Sequence, residues 1–224
     1  MQKPSFDKFA QSYEEILAKS LRTHGKDGDY YNRYKVQLVQ NTCRRTPGAI
    51  LDFGCGNGKN IALLQSAFPD ATVEGCDIST ESLEISRQSH PGVHFFTPGG
   101  HQAATMRYDL IFVANVLHHV PTNDRKAWMS DVKNMLKPGG EVILFEHNPL
   151  NPVVRRIVRS CPLDEDAVLV RPTELKALLA QCDMSLCSWG YTLFFPASLS
   201  WLSGLERWLR WIPLGAQYFV HARR

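Results

Sequence analysis

An acidic residue followed by alternating glycines is the feature of this sequence that carries the most chemical information. Asp52 lies near the end of the apolar run 49–53, which leads into a loop of alternating glycines, Gly54-Cys55-Gly56-Asn57-Gly58. The pattern predicts a buried strand that turns sharply into a helix, because glycines permit positive φ angles and let a ligand approach the backbone. A dinucleotide-binding loop would have glycine in place of Lys59, and its phosphates would lie near the Asp52 carboxylate. The carboxylate instead suits a ligand with an ammonium and a sulfonium group.

A second acidic residue ends the next predicted strand. Asp77 follows Asp52 at close to the spacing of about 20 residues that separates the glycine loop from the ribose-binding acid in doubly wound folds. A carboxylate at this position can accept hydrogen bonds from both ribose hydroxyls. Ile78 would then pack on the adenine ring. The alternative interpretation is a solvated charge at the start of a helix.

Three histidines and a glutamate follow two further predicted strands. His118 and His119 come soon after the strand 108–114, whereas Glu146 and His147 end the strand that begins near residue 141. Polar residues at the carboxyl ends of parallel strands face the ligand crevice. We therefore interpret all three histidines as candidate general bases, because histidine titrates near neutrality. Glu146, His147 and His118 are candidate acceptor contacts, and a structural role stays open for each residue.

Paired histidines also raise the question of a metal ion. Adjacent residues such as His118 and His119 rarely bind one ion together, and the sequence shows no pattern that would supply a third ligand. No metal site is therefore predicted.

A sheet is needed to bring these residues together. Strands and helices alternate along the sequence without repeats, which predicts an α/β fold with a doubly wound, mostly parallel sheet. Residues 1–45 precede this pattern and are predicted as a helical lid. Two further segments, 148–171 and 196–214, fall outside it and are interpreted as acceptor-side insertions. The predicted strands span residues 49–53, 72–77, 93–97, 108–114, 141–145, 184–195 and 215–222, and the predicted helices 61–68, 79–88, 122–136 and 172–181.

Length and composition are those of one globular domain, residues 1–224. The net charge is only +3 and the basic residues are spread out, so no nucleic acid partner is expected. The six cysteines lack metal-finger spacing, and the first residues do not resemble an export signal. Free thiols and a cytoplasmic location are therefore expected. The sequence does not determine the oligomeric state.

The sequence resembles the class I S-adenosylmethionine-dependent methyltransferases in three features and in their order. These features are the glycine loop, Asp77 and the segment Leu136-Lys137-Pro138-Gly139-Gly140. The resemblance is strongest over residues 49–147. It implies S-adenosylmethionine as cofactor and a seven-stranded sheet with an antiparallel last strand. The loop from Gly54 to Gly58, Cys55 included, would wrap the methionine and ribose parts, and Asp52 would contact the ammonium group. The strip that begins at Asn115 would close the cofactor pocket.

The N-terminal region extends this resemblance. Phe6-Asp7-x-x-Ala10-x-x-Tyr13 is similar to the lid of quinone-type small-molecule methyltransferases, which implies that Tyr13 covers the cofactor; a core aromatic is the alternative. Arg33 and Lys35 could reach the cofactor carboxylate. One departure stands out, because residues 97–101 lack the acid that the family uses to bind adenine. Backbone groups would take its place.

The resemblance implies in-line transfer of a methyl group to an O, N, S or C atom of a small molecule, with a lipophilic or aromatic acceptor as one option. A non-catalytic cofactor-binding module, a partner-regulating module and a methyltransferase of macromolecules stay open. In the segment 198–212, apolar positions 201, 205, 208 and 212 would share one helical face. That face would pack on the domain, line a pocket for a lipophilic acceptor, or touch a membrane surface.

Overall fold

The computed structural model describes residues 28–99 and 107–224 of the chain. Seven strands alternate with helices along these residues, as the sequence pattern predicts. The elements are α1 (Gly28–Thr42), β1 (Ala49–Phe53), α2 (Ile61–Ala67), β2 (Thr72–Cys76), α3 (Thr80–Ser89), β3 (Phe95–Phe96), β4 (Tyr108–Ala114), α4 (Arg125–Met135), β5 (Leu136–His147), α5 (Pro152–Ser160), α6 (Pro172–Gln181), β6 (Ser185–Thr192), α7 (Glu206–Leu209) and β7 (Gln217–Arg223). Short 3₁₀ helices cover Leu117–His119, Pro162–Asp164 and Ala197–Leu205.

The strands form one seven-stranded sheet in the order β3-β2-β1-β4-β5-β7-β6. The first five strands pair in parallel, and β7 pairs antiparallel with both β5 and β6. The predicted doubly wound, mostly parallel sheet with an antiparallel last strand is confirmed. Strand order reverses between β1 and β4, and doubly wound sheets bind ligands in the crevice outside such a switch point.

Both faces of the sheet are covered. Four consecutive residues of β4, from Leu110 to Val113, are buried, which is the pattern of a central parallel strand. Helix α1 contributes to one of the two apolar clusters, because Val36 and Val39 pack with Ile61 and other residues around β1. This packing places the C-terminal part of the predicted lid against the cofactor half of the sheet. Residues 1–27 lie outside the described residues.

Element boundaries differ from the predictions at several points. Strand β5 begins at Leu136 and not near residue 141, because Leu136 already pairs with Tyr108 ahead of an irregularity in the ladder. Helix α4 therefore ends at Met135 and starts only at Arg125. Strand β6 ends at Thr192, and the next residue, Leu193, has a φ angle of 59°.

The segment 198–212 is not the predicted amphipathic helix. It consists of a kinked 3₁₀ stretch followed by the four residues of α7. The expected packing of its apolar face is wrong, because Trp201, Leu205 and Trp208 are all exposed. The residue that points inward is Glu206, which is 1% exposed.

The buried carboxylate of Glu206 anchors this segment to the end of β6. It accepts hydrogen bonds from the backbone N–H groups of Leu193, at 2.8 Å, and Phe194, at 3.1 Å, and from the Tyr34 hydroxyl. These two N–H groups follow the last ladder residue of β6, so a side chain must satisfy them. Thr192 at the end of β6 pairs with Gln217 at the start of β7, and Gln217 pairs in turn with His147 at the end of β5. The segment between β6 and β7 therefore starts and finishes at the edge of the sheet where β5 ends.

Two negative findings concern the described residues alone. No helix within residues 28–99 and 107–224 is long and apolar enough to cross a membrane. The cysteines at 43, 55, 76, 161, 182 and 187 are all free thiols.

Candidate cofactor and acceptor site

The glycine loop between β1 and α2 adopts the conformation that its composition predicts. Gly54 has a φ angle of 78°, and a Cβ atom there would lie 2.3 Å from Cγ2 of Val116. Gly56 has a φ angle of 51°, and no atom of the described residues lies within 4 Å of the position its Cβ would take. A side chain at position 54 would therefore clash with Val116, whereas the backbone at Gly56 is open to a ligand.

Asp77 holds this loop in place. Its Oδ2 atom accepts a hydrogen bond from the Gly56 N–H at 2.8 Å, and Oδ1 accepts one from the Ser79 N–H at 2.9 Å. Ser79 also caps α3 by accepting a hydrogen bond from the Ser82 N–H. Asp77 is partly exposed, and the neighbouring Ile78 is 53% exposed. Both side chains are therefore accessible where the predicted ribose and adenine contacts would be made.

Asp52 lies beneath the loop, fully buried. Neither carboxylate oxygen has a hydrogen-bond partner among the described residues. Burial raises the pKa of Asp52 to about 7, the charge of Asp77 adds to this effect, and Asn60 and Lys35 oppose it. A buried carboxylate without donors is costly, and a donor supplied by a ligand would relieve that cost.

Lys35 of α1 lies at the same site. It is 4% exposed, and burial lowers its pKa to about 8 although the charges of Glu146 and Asp52 act to raise it. Arg33, the other candidate on this helix, is exposed and pairs with Asp29 at 4.0 Å. The structure therefore distinguishes the two basic residues, which the sequence did not. A buried lysine is rare unless it is paired, so Lys35 is suited to hold an anionic group.

Three predicted cofactor residues need comment. The Cys55 side chain packs in the core with Ile50 and Leu64, and burial raises its pKa, so its side chain does not face the loop opening. Asn115 adopts a positive φ of 59° at the end of β4, and its Oδ1 atom accepts a hydrogen bond from Gln217 at 2.9 Å. Tyr13 lies outside the described residues, as do Gly100 and His101 of the segment 97–101 expected near adenine.

The ends of β4 and β5 bring the acceptor candidates together. Glu146 is fully buried, and its Oε1 atom accepts a hydrogen bond from the Leu117 N–H at 2.7 Å. Its Oε2 atom lies 2.6 Å from Nδ1 of His118. The rings of His118 and His119 have centroids 4.1 Å apart, and the His147 ring is 5.2 Å from His118. The three predicted histidines and Glu146 thus form one cluster.

A fifth polar residue of this cluster could not be predicted from the sequence. Asp164 ends the 3₁₀ helix Pro162–Asp164 in the predicted insertion 148–171, and its Oδ1 atom lies 3.5 Å from Nε2 of both His118 and His119. The Val168 N–H donates to the His118 carbonyl at 2.8 Å, which ties the insertion to the histidine turn. No local motif marks Asp164, because its role depends on this tertiary contact.

The histidines differ in their protonation. Burial alone would lower the pKa of His118, but the charge of Glu146 and the interaction with Asp164 raise it to about 9. Burial and the His118 charge lower the pKa values of His119 and His147 to about 4. At neutral pH, His118 is the cationic member of the cluster, and the other two are neutral and weakly basic.

The residues present fit the amino-acid part of S-adenosylmethionine. Its ammonium group requires acceptors, which the Asp52 carboxylate offers, and its carboxylate requires a cation, which Lys35 offers. Both side chains are buried near a glycine loop with room for a ligand at Gly56. The donor set therefore matches a zwitterionic ligand better than a phosphate.

Comparisons with known proteins agree with this geometry. Residues 50–140 match the family described as "Methyltransferase domain". The chain is 29% identical over 167 residues to a trans-aconitate 2-methyltransferase of an Azoarcus species, covering 72% of this chain and 63% of that protein. It is 30% identical over 153 residues to a malonyl-[acyl-carrier protein] O-methyltransferase of Halalkalibacterium halodurans, covering 62% and 56%. The chain thus spans less than two thirds of the length of either relative.

The fold has close counterparts among solved structures. An S-adenosylmethionine-dependent methyltransferase of Thermotoga maritima, described as a possible histamine N-methyltransferase, has a TM-score of 0.68 and 16% identity, covering 97% of each chain. The predicted resemblance to the class I S-adenosylmethionine-dependent methyltransferases is confirmed, and S-adenosylmethionine is supported as the cofactor.

Proposed function

We propose that this protein transfers the methyl group of S-adenosylmethionine to a small-molecule acceptor. The observation that carries the proposal is that Asp52, under the glycine loop, and Lys35, within electrostatic reach of Asp52, are both buried, so together they can complement the two charges of an amino acid. When bound, S-adenosylmethionine supplies a methyl group on a positively charged sulfur, and its in-line transfer leaves a neutral thioether. Asp52, Gly54, Gly56, Gly58, Asp77, Ile78 and Asn115 remain the proposed cofactor contacts.

The chain contributes alignment more than acid–base chemistry. Asp52 and Lys35 would fix the two ends of the amino-acid group, and the loop at Gly56 leaves room beside the backbone. Alignment of reacting groups can supply roughly 7–11 kcal/mol of a barrier in favourable cases. Burial of both side chains also excludes water from the charged groups.

His118 is poorly suited to act as a base, since its Nδ1 is held by Glu146 and its raised pKa keeps it protonated near neutrality. His119 and His147 are neutral at that pH, but a base is most effective when its pKa lies near the working pH. We therefore assign His118 a positioning role. His119 and His147 would serve as contacts for the acceptor.

Weak bases favour an acceptor that is already ionised. A carboxylate needs no proton removed before methylation, whereas a phenol or an ammonium does. Trans-aconitate and malonyl groups, the acceptors in the names of two relatives, are carboxylic acids. We propose a carboxylate oxygen as the acceptor atom. Methyl transfer should then be observed with aliphatic carboxylic acids and be absent with phenols and amines of similar size.

Binding of the cofactor is the first test. Isothermal titration of the protein with S-adenosylhomocysteine should give a complex with one ligand per chain, and NAD should not bind. Replacement of Lys35 by Met should weaken S-adenosylhomocysteine binding at least about tenfold, the loss of one charge-assisted contact. Arg33→Met is the matched control on the same helix, because Arg33 is exposed.

A second ligand separates the amino-acid contact from the rest of the site. 5′-Methylthioadenosine contains the nucleoside but lacks the amino-acid group. Its affinity should be the same for the natural protein and the Lys35→Met variant. Equal loss of both ligands in that variant would contradict the assigned contact, and no binding of S-adenosylhomocysteine to the natural protein would contradict the proposed cofactor site.

The segment 196–214 is proposed to lie on the acceptor side, where its exposed aromatic residues would guide a lipophilic acid to the site. Trp201 and Trp211 are each 77% exposed, and Arg207 stacks over Trp208 at 5.1 Å. Contact with a lipid surface is the alternative for this segment. Co-sedimentation with anionic vesicles would favour the alternative, and lower activity on long-chain acids in Trp208→Ser without any vesicle binding would favour acceptor guidance.

A further inference from the structure

We propose that His118, His119 and Asp164 form a binding site for a divalent transition-metal ion, with zinc(II) as the ion that best suits the ligands. One nitrogen of each histidine and one carboxylate oxygen all lie within 4.8 Å of one another. Two imidazoles and a carboxylate are a ligand set found in zinc sites that keep an open coordination position. No metal site is predicted from the sequence, because adjacent histidines rarely share one ion and the third ligand comes from a distant segment.

The distances favour shared coordination over direct hydrogen bonding. Asp164 Oδ1 lies 3.5 Å from Nε2 of His118 and 3.5 Å from Nε2 of His119. Hydrogen bonds between nitrogen and oxygen are typically about 2.7–3.2 Å long. Ligand atoms bound tetrahedrally at about 2.0–2.1 Å from zinc are separated from each other by about 3.3–3.4 Å. Both measured separations match the second geometry more closely.

The surroundings of His118 are those of a metal ligand. Its Nδ1 lies 2.6 Å from the Glu146 carboxylate, which is itself held by the Leu117 N–H. Metal-bound histidines commonly donate their other ring nitrogen to a carboxylate in this way, which fixes the ring orientation. The Nε2 atom of His118 is buried and has no hydrogen-bond partner among the described residues. Within the described residues, this nitrogen therefore lies near the Asp164 carboxylate and makes no hydrogen bond that would compete with a metal ion.

Charge balance points in the same direction. Glu146 and Asp164 together carry two formal negative charges in a buried setting, which the proton on His118 offsets only in part in the metal-free protein. A divalent cation that displaces this proton from Nε2 would balance both charges, since metal binding to histidine releases protons. Buried charges are stable only when they are paired or coordinate metals.

The site is prearranged and accessible. Arg125 donates to the carbonyl of Val168 at 2.7 Å, and the Val168 N–H donates to the His118 carbonyl, so the Asp164 segment is fixed against the histidine turn. The side chains of His119 and Asp164 are 19% and 13% exposed, which leaves a path for an ion. A fourth position on that side could hold a carboxylate of the acceptor; this last clause rests on the proposed function, whereas metal binding does not.

Titration of the chelator-treated protein with zinc(II) tests the site directly. One ion should bind per chain, and cobalt(II) should give the visible absorption of a tetrahedral complex. His119→Ala and Asp164→Asn should each weaken zinc binding by at least about tenfold to hundredfold, the loss that follows even when a residue behind a ligand is removed. Asp166→Asn is the matched control, because Asp166 is an exposed acid in the same segment.

The free cysteines could bind zinc on their own, so the variants decide the outcome. Binding that is lost in His119→Ala and Asp164→Asn and kept in Asp166→Asn supports the site. No binding, or equal binding in all four proteins, overturns it. S-adenosylhomocysteine titration of each variant shows whether it is folded and reports on the proposed function separately, since the cofactor contacts involve none of the three ligands.

Discussion

Asp52 and Glu146 are both fully buried acids near the carboxyl ends of the strands that flank β4. They differ in their hydrogen bonding within the chain and in the direction in which their pKa values shift. Glu146 accepts hydrogen bonds from Leu117 and lies against His118, and although burial opposes the change, the His118 charge lowers its pKa. Asp52 has no hydrogen-bond partner among the described residues, and burial raises its pKa to about 7.

This difference separates a structural acid from a ligand-binding acid. A carboxylate whose acceptors are used within the chain stabilises the fold and is costly to remove. A buried carboxylate whose acceptors are unused costs free energy in the unliganded protein and regains it when a ligand donates. We expect substitution at Glu146 to affect stability and substitution at Asp52 to affect affinity.

The largest expected effect is on stability at Glu146. Glu146→Ala leaves His118 buried without its partner and two backbone N–H groups without an acceptor, so the free energy of unfolding should fall by about 3–5 kcal/mol. Urea denaturation measures this change. If the alanine variant does not fold, Glu146→Gln should fold with a smaller loss, because the amide oxygen can still accept from Leu117. If the free energy of unfolding fell by less than about 1 kcal/mol in Glu146→Ala, Glu146 would not have the structural role that distinguishes it from Asp52.

Asp52→Asn should give the reverse pattern. The amide is close in size and removes a charged contact to the cofactor ammonium, worth about 1.5–3 kcal/mol, so affinity for S-adenosylhomocysteine should fall about 10- to 150-fold. Stability above pH 7 should stay the same or rise. The raised pKa means that ionisation of Asp52 opposes folding as pH increases from its unfolded value toward 7. Unchanged affinity by calorimetry would exclude Asp52 as a ligand contact.

The pH dependence of cofactor binding should sharpen the assignment. Binding needs Asp52 ionised, which fails below its pKa of about 7, and Lys35 protonated, which fails above its pKa of about 8. Affinity should therefore peak between these values and fall by at most about tenfold per pH unit on either side. In Asp52→Asn the acid limb should disappear, and in Lys35→Met the alkaline limb should shrink to the part caused by the ligand's own amine. A flat profile in the natural protein would contradict both roles.

The smallest effect is expected at an exposed apolar residue. Its changes in stability and affinity serve as the reference for those at Asp52 and Glu146. Trp208 is 67% exposed, so Trp208→Ser should change the free energy of unfolding by no more than about 0.5 kcal/mol. Affinity for S-adenosylhomocysteine should not change. Thermal denaturation that shows a loss of several kcal/mol would mean that the aromatic side chain is packed, as the sequence pattern had suggested.

Much of the cofactor side could be predicted because its signals are local. Gly54, Gly56 and Gly58 all have positive φ angles, and the order of strands and helices predicted the sheet. Boundaries were less accurate where pairing decides them, as at the start of β5, since Leu136 joins the sheet only through Tyr108.

The acceptor side could be predicted only in part. The sequence placed His118, His119, Glu146 and His147 at strand ends, where parallel topology brings them together. It did not reveal Asp164, which lies in an irregular segment with no motif. It also could not predict their pKa values, because these depend on which charges are neighbours after folding.

The C-terminal segment shows how a periodic pattern can mislead. Apolar positions at helical spacing predicted an inward aromatic face, yet the buried residue is Glu206 and the tryptophans are exposed. Two unpaired N–H groups past the end of β6 need an acceptor, and satisfying buried backbone groups outweighs the burial of one more apolar face.

The sequence by itself determined the fold class, the glycine loop and Asp52, because these follow from turn chemistry and from residues close together along the chain. Tertiary structure decided that Lys35 and not Arg33 is buried within electrostatic reach of Asp52, that Asp164 lies near the two histidines, and that Glu206 faces inward. These three facts depend on contacts between segments far apart in sequence, and their energies are set by burial and by the charges that packing brings near.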